Sequence, residues 1–180
     1  MKKLICVSLL ALAAPAVAQP APLAPPMQAR TSANTYLQLA ASSDAYEIQS
    51  SKLILQSASN PDVRRFAEMM VSDHAGTTAQ LMAAAKEASL GNPANIQGRQ
   101  VSMLKALRST PKAKRERAYV DQQVMSHQEA LALHEGFAAQ GDNPGLRSVA
   151  QGAVPIVRAH LAEIQRIQAS MGGSMTSMRR

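Results

Sequence analysis

The chain has 180 residues, 46% apolar and 17% charged, with 19 Lys and Arg against 12 Asp and Glu, a formal charge of +7. That length suits one domain with a real core. Three Tyr, two Phe and no Trp argue against a β-sandwich or barrel, and one Cys rules out a disulfide scaffold. The positive charge invites a nucleic-acid or membrane reading, which depends on where the charges sit.

The chain opens on an address. Met1-Lys2-Lys3 is a positive start, Leu4 to Ala14 an apolar run, and Ala16-Val17-Ala18 a small-x-small cleavage site. Residues 1–18 therefore read as a signal peptide, with the mature chain starting at Gln19. The alternative, an N-terminal membrane anchor, is disfavoured because the run is short for a bilayer and ends on a cleavage signature. The expected location is outside the cytoplasm, in the periplasm. Cys6 leaves with this segment, so the mature chain would hold no thiol for catalysis or metal binding. No later stretch is apolar enough to span a membrane, and genomic DNA is out of reach of an exported protein. Residues 19–31, with Pro20, Pro22, Pro25 and Pro26, read as an extended, unpacked, flexible arm.

From Ser32 onward helical signals recur. Asn60-Pro61, Asn92-Pro93, Thr110-Pro111 and Asn143-Pro144 each place a capping side chain before a proline, while Gly91, Gly141 and Gly172 sit at expected helix ends. The spacing predicts helix A over Ser32 to Ser59 and helix B over Pro61 to Leu90. A crossover follows, with a short helix around Val101 to Leu107. Helix C is expected over Pro111 to Gln140 and helix D over Pro144 to Met171, with residues 172–180 a disordered tail. Inward stripes follow the helical period: Val63, Phe66, Met70 and His74 in B, and Leu146, Ala153, Ile156, His160 and Ile164 in D. Two short loops and one long one describe two antiparallel hairpins joined by a long crossover. The expected fold is all-α, a ferritin-like four-helix bundle over residues 32–171. The segments NPDVRRFA and NPGLRSVA also repeat at equivalent turns.

Four polar residues fall on inward stripes. Glu47 lies 13 residues before Asn60 and His74 lies 14 after it, so the two face each other across the first hairpin. His127 lies 16 before Asn143 and His160 lies 17 after it, so the second pair is level too. One carboxylate and three imidazoles, one per helix, converge in this reading. Such a donor set suits a transition metal ion such as Zn, Cu, Fe or Ni. Asp44, Asp73 and Glu163, each within a turn, are candidates to orient the imidazoles. A hydrogen-bonded polar layer that fixes helix register is the commoner use of such residues, and spacing alone does not separate the two. His134, a further seven residues along, is read as partly exposed and outside the cluster. Pro155, inside helix D, is expected to kink it. The basic run Lys105, Arg108, Lys112, Lys114, Arg115 and Arg117 is read as a solvated face, with weak contact to an anionic membrane surface as the alternative.

The stretches FAEMMVSDH (Phe66 to His74), YVDQQVMSHQEALALHE (Tyr119 to Glu135), GDNPGLRSVAQGAVPIVRAHL (Gly141 to Leu161) and AYEIQSSKL (Ala45 to Leu53) resemble the exported bacterial ferritin-like bundles grouped as domain-of-unknown-function family 4142. The resemblance implies a ferritin-like fold outside the cytoplasm and no agreed activity. The di-iron members of the ferritin-like superfamily carry Glu-x-x-His on two helices. Here Val71 and Val157 stand where those Glu residues would be, and His127 replaces another carboxylate. That argues for a single ion rather than a di-iron centre. The expected function is a non-enzymatic binding or interaction protein of the cell envelope, with one mononuclear metal site at Glu47, His74, His127 and His160. Its expected partner is an envelope protein or the metal ion, and not nucleic acid. The competing classes are an oxidoreductase with a degenerate metal centre and a purely structural or stress-related envelope protein. Loss of Lys2 and Lys3 would leave the mature chain at +5, with Arg30, Arg179 and Arg180 on its ends.

Overall fold

The computed structural model describes residues 22–93 and 95–177, with the backbone alone over 173–177. The expected signal peptide lies outside the described residues. Among those described, the chain is all helical: α1 (Met27–Thr31), α2 (Ala33–Leu55), α3 (Pro61–Glu87), α4 (Gly98–Ser109), α5 (Lys112–Gln140) and α6 (Pro144–Ser177). The four long helices close a ring, with α2 on α3, α3 on α6, α6 on α5 and α5 on α2. Short loops join α2 to α3 and α5 to α6, and the long connection carries α4, which packs on α2 and α5.

Two of the four expected Asn/Thr-Pro starts act as caps. Asn60 Oδ1 accepts from the amides of Asp62 and Val63, and Asn143 Oδ1 accepts from Leu146, which satisfies helix-end donors that would otherwise be open. Thr110 instead turns its hydroxyl back to the carbonyl of Ala106, and Pro111 is the uncapped start of α5. Asn92-Pro93 starts no helix; α4 begins at Gly98, whose φ of +55° suits glycine.

Three further expectations are corrected. The Pro-rich arm is not extended throughout, because Met27–Thr31 forms α1 and buries Ala29 fully against α5 and α2. The arm's four prolines, all before Met27, disfavour helix, but Gln28, Ala29 and Arg30 carry no such restriction. The last helix does not stop at Gly172 but continues to Ser177; glycine lowers helix propensity without forbidding helix. Ile156 faces outward, 38% exposed, and Val157 takes the buried position beside it.

Two apolar cores lie along the four long helices, and a smaller third, Tyr46 with Met103 and Leu104, joins α2 to α4. One gathers Ile54, Val63, Phe66, Met70, Tyr119, Val124, Ile164 and Ile167. The other gathers Tyr36, Leu37, Leu81, Leu133, Phe137 and Leu146. On every long helix the segment between the two carries buried polar residues, Asp44 and Glu47, His74, His127, and His160, while Gln123 and His134 lie within the spans of the two cores. The interior is therefore most polar in its middle.

Candidate metal centre

His74, His127 and His160 are all buried, and one nitrogen from each ring lies within 4.8 Å of the other two. The ring centroids stand 5.9 Å (His74–His127), 5.7 Å (His74–His160) and 5.5 Å (His127–His160) apart. Phe66 sets its ring against His127 and His160 and forms part of the apolar wall.

One nitrogen of each ring is held by an acceptor. His74 Nδ1 donates to Asp44 Oδ1 at 2.8 Å, and the other Asp44 oxygen accepts from the hydroxyls of Thr77 and Thr78, each at 3.0 Å. His127 Nδ1 donates to the carbonyl of Gln123, one turn back, at 2.9 Å. His160 Nε2 donates to Asp73 Oδ2 at 3.0 Å. A carbonyl or carboxylate can only accept, so each of these nitrogens carries the proton. On a neutral ring the opposite nitrogen is a lone-pair acceptor, and His74 Nε2, His127 Nε2 and His160 Nδ1 are all buried without a hydrogen-bond partner. Leaving one buried acceptor unmet costs about 1–3 kcal/mol.

Burial dominates the electrostatics. It drives the pKa of His127 down to about 3, aided by charge on His74. It drives His160 down to about 4 against the pull of Asp73. Burial also pushes His74 down, but the hydrogen bond and charge of Asp44, with Glu47 and Asp73, outweigh it and leave its pKa raised. Two of the three rings are therefore held neutral, as a metal ligand must be.

Glu47 is fully buried, yet it is not part of the converging group. Its Oε1 accepts from the Ser126 hydroxyl and stands 3.9 Å from His127 Nδ1, the nitrogen already committed to Gln123. Its Oε2 has no partner, and burial raises its pKa. Asp44 and Asp73 orient rings as anticipated. Glu163 does not: it pairs with Arg166 on the outer surface. His134, expected to be partly exposed, is 92% covered and takes a 3.0 Å hydrogen bond from, or gives one to, the Tyr36 hydroxyl. Its position seven residues after His127 puts it on the same helical face, which was the signal for burial. Sequence reasoning missed Ser126, Gln123, Thr77 and Thr78 as polar partners, since single hydroxyls and amides on a helix carry no pattern of their own.

Residues 17–167 match the family described as Domain of unknown function (DUF4142). The chain belongs to that family. Among solved structures, this DUF4142 chain is similar to the crystal structure of a DUF305 fragment from Deinococcus radiodurans. The TM-score is 0.63 at 16% identity, over 83% of this chain and 99% of that one. At that identity the likeness concerns the fold alone. No curated protein matches the chain. No helix among the described residues is long and apolar enough to cross a membrane.

Proposed function

We propose that this DUF4142 protein is an exported, ferritin-like bundle of the cell envelope that binds one transition metal ion through His74, His127 and His160. The observation that carries the reading is the set of three partnerless, buried imidazole nitrogens whose opposite nitrogens are each fixed by an acceptor. Ligating histidines characteristically bond a carboxylate or carbonyl through the far nitrogen, which sets the tautomer and aims the lone pair. A tetrahedral ion with bonds of ~2.0 Å holds its nitrogens roughly 3.3 Å apart, so each ring need close by only about an ångström. The donors, three nitrogens with no thiolate, suit Zn, Cu or Fe.

A structural polar layer is the main rival. Such a layer stabilises a fold when its members satisfy one another, and here three imidazole nitrogens and Glu47 Oε2 do not. A binding role is favoured over carboxylate-bridged redox chemistry by the residues present: Val71 and Val157 stand where further carboxylates would be needed, and Asp44 and Asp73 are spent on ring nitrogens. Short α2–α3 and α5–α6 loops with a long α3–α5 crossover support the ferritin-like arrangement. The signal-like start supports export.

The test is metal analysis of the mature protein after periplasmic expression. One equivalent of metal per chain, lost in the double variant His74→Ala/His160→Ala, is the expected result. Saturating Zn, Cu or Fe should also raise the unfolding temperature, since ligand at a hundred times its Kd contributes about 2.7 kcal/mol. A protein that takes up none of these ions and gains no thermal stability from them overturns the reading.

A further inference from the structure

A pocket of about 450 Å³ lies between the N-terminal arm, α2, the start of α4 and α5. Small-molecule sites usually span ~300–1,000 Å³ and are mostly apolar with a few placed polar groups. Leu39 of α2 with Ala130 and Leu133 of α5 supply apolar wall here, and Pro25 and Pro26 of the arm add to it. Gly98, Arg99 and Gln100, the first turn of α4, line the same pocket. Their amides have no acceptor inside the helix and find none elsewhere among the described residues. Gln97, just before them, caps none of them; its side-chain amide donates to the Gln38 carbonyl at 3.1 Å instead. A second unmet group is Ser43. It is 7% exposed, lines the pocket, and its hydroxyl has no hydrogen-bond partner among the described residues. Its neighbour Ser42 accepts from the Gln97 amide at 2.9 Å, which puts Ser43 beside the start of α4.

We propose that this pocket binds a small organic acid, with its carboxylate at the open amides of α4 and its apolar body along Leu39, Ala130 and Leu133. A helix N-terminus attracts a carboxylate because its free amides donate and its dipole end is positive. The charged side chains of the pocket do not oppose this. Arg99 and Glu129 pair with each other, and Glu129 also accepts from the Leu23 amide at 3.0 Å, so the positive end of α4 is left over. The Ser43 hydroxyl offers the head group a further donor. None of the three clustered histidines lines this pocket, so the inference stands or falls apart from the metal reading.

The experiment is equilibrium dialysis of the full mature chain against octanoate and against octanamide, its neutral counterpart. The expected result is one octanoate per chain, held about tenfold tighter than octanamide. Gln97→Asp puts a carboxylate at the N-cap of α4, where it caps the same amides. That variant should melt at a higher temperature and yet hold octanoate about tenfold more weakly, with octanamide unchanged. Loss of binding in a stabilised protein is something a merely structural role would not produce. Ala130→Leu and the milder Ala130→Val enlarge a side chain of the apolar wall, and at least one of them should weaken both ligands alike. No octanoate bound at millimolar concentration overturns the proposal. Octanoate held no tighter than octanamide, or unaffected by Gln97→Asp, also overturns it, because the start of α4 then takes no part. Binding that neither Ala130 variant weakens overturns it as well, because the ligand then lies outside this pocket.

Discussion

Asp44 concentrates three hydrogen bonds on one buried carboxylate: from His74, Thr77 and Thr78. Removing its charge while keeping its shape should leave the His74 ring free to turn. Partners of this kind tune affinity by about 10–100-fold. Asp44→Asn is accordingly expected to weaken metal binding by that order, measured by competition against a chelator, while the fold survives. His134 offers a second test at this scale. Burial holds its pKa at about 4 in the folded chain, against 6.5 for an ordinary histidine. The unfolded chain therefore binds the proton more readily. The stability that neutral His134 contributes is full above pH 6.5 and is lost as pH falls through the window toward 4. From pH 7 to pH 5 that loss is about 2 kcal/mol for one such group. In metal-free protein, His134→Asn should lose that much less stability than the unsubstituted chain over the same pH step. Denaturant melts at the two pH values check it, and parallel losses in both proteins would count against a neutral, buried His134.

At the scale of elements, helix ends separate two uses of small residues. The end of α3 places Ser89, not Gly91, in the left-handed region at φ 55°, and the Leu90 amide closes back on the Ala85 carbonyl at 2.9 Å. That conformation costs a side-chain-bearing residue roughly 1 kcal/mol relative to glycine. Ser89→Gly should therefore stabilise the protein by up to about that amount in chemical denaturation. Gly141 is needed for a different reason. Its φ is ordinary, but a Cβ there would meet the Phe137 ring at 2.6 Å and the Phe137 carbonyl oxygen at 2.7 Å. Gly141→Ala should lower the melting temperature, since backbone as well as ring must shift to admit the methyl. The loop after Gly141 also binds the start of α2, where Asp142 accepts from Ala33 and donates its own amide to Thr31. That link holds the two hairpins in register at this end.

At the scale of the whole molecule, the two apolar cores stabilise the ends of the bundle and the polar layer between them carries the cost of unmet acceptors. Metal binding would relieve that cost in the folded state alone, which is why its stabilising effect should be large for a single ion. The first residues make a separate prediction about where the molecule works. Expressed with its own N-terminus in a bacterium that exports, the protein should be recovered from the periplasm starting at Gln19. Intact-mass measurement checks the cut; recovery of chain still carrying Met1 to Ala18 from the cytoplasm would count against export.

The sequence by itself determined the four long helices, their order and the level at which the polar residues meet. Helical period, Asn-Pro caps and equal distances from two short turns are local quantities, and rise per residue is the same in every helix. Those quantities brought His74, His127 and His160 to one height. Only the tertiary structure decided which way each polar group turns. It gave Asp44 and Asp73 to ring nitrogens and Glu163 to a surface arginine, set Glu47 on Ser126, and buried His134 on Tyr36. Those choices depend on rotation about each helix axis and on which neighbour offers a donor or acceptor within about 3 Å. Both arise from packing between helices that are distant in sequence.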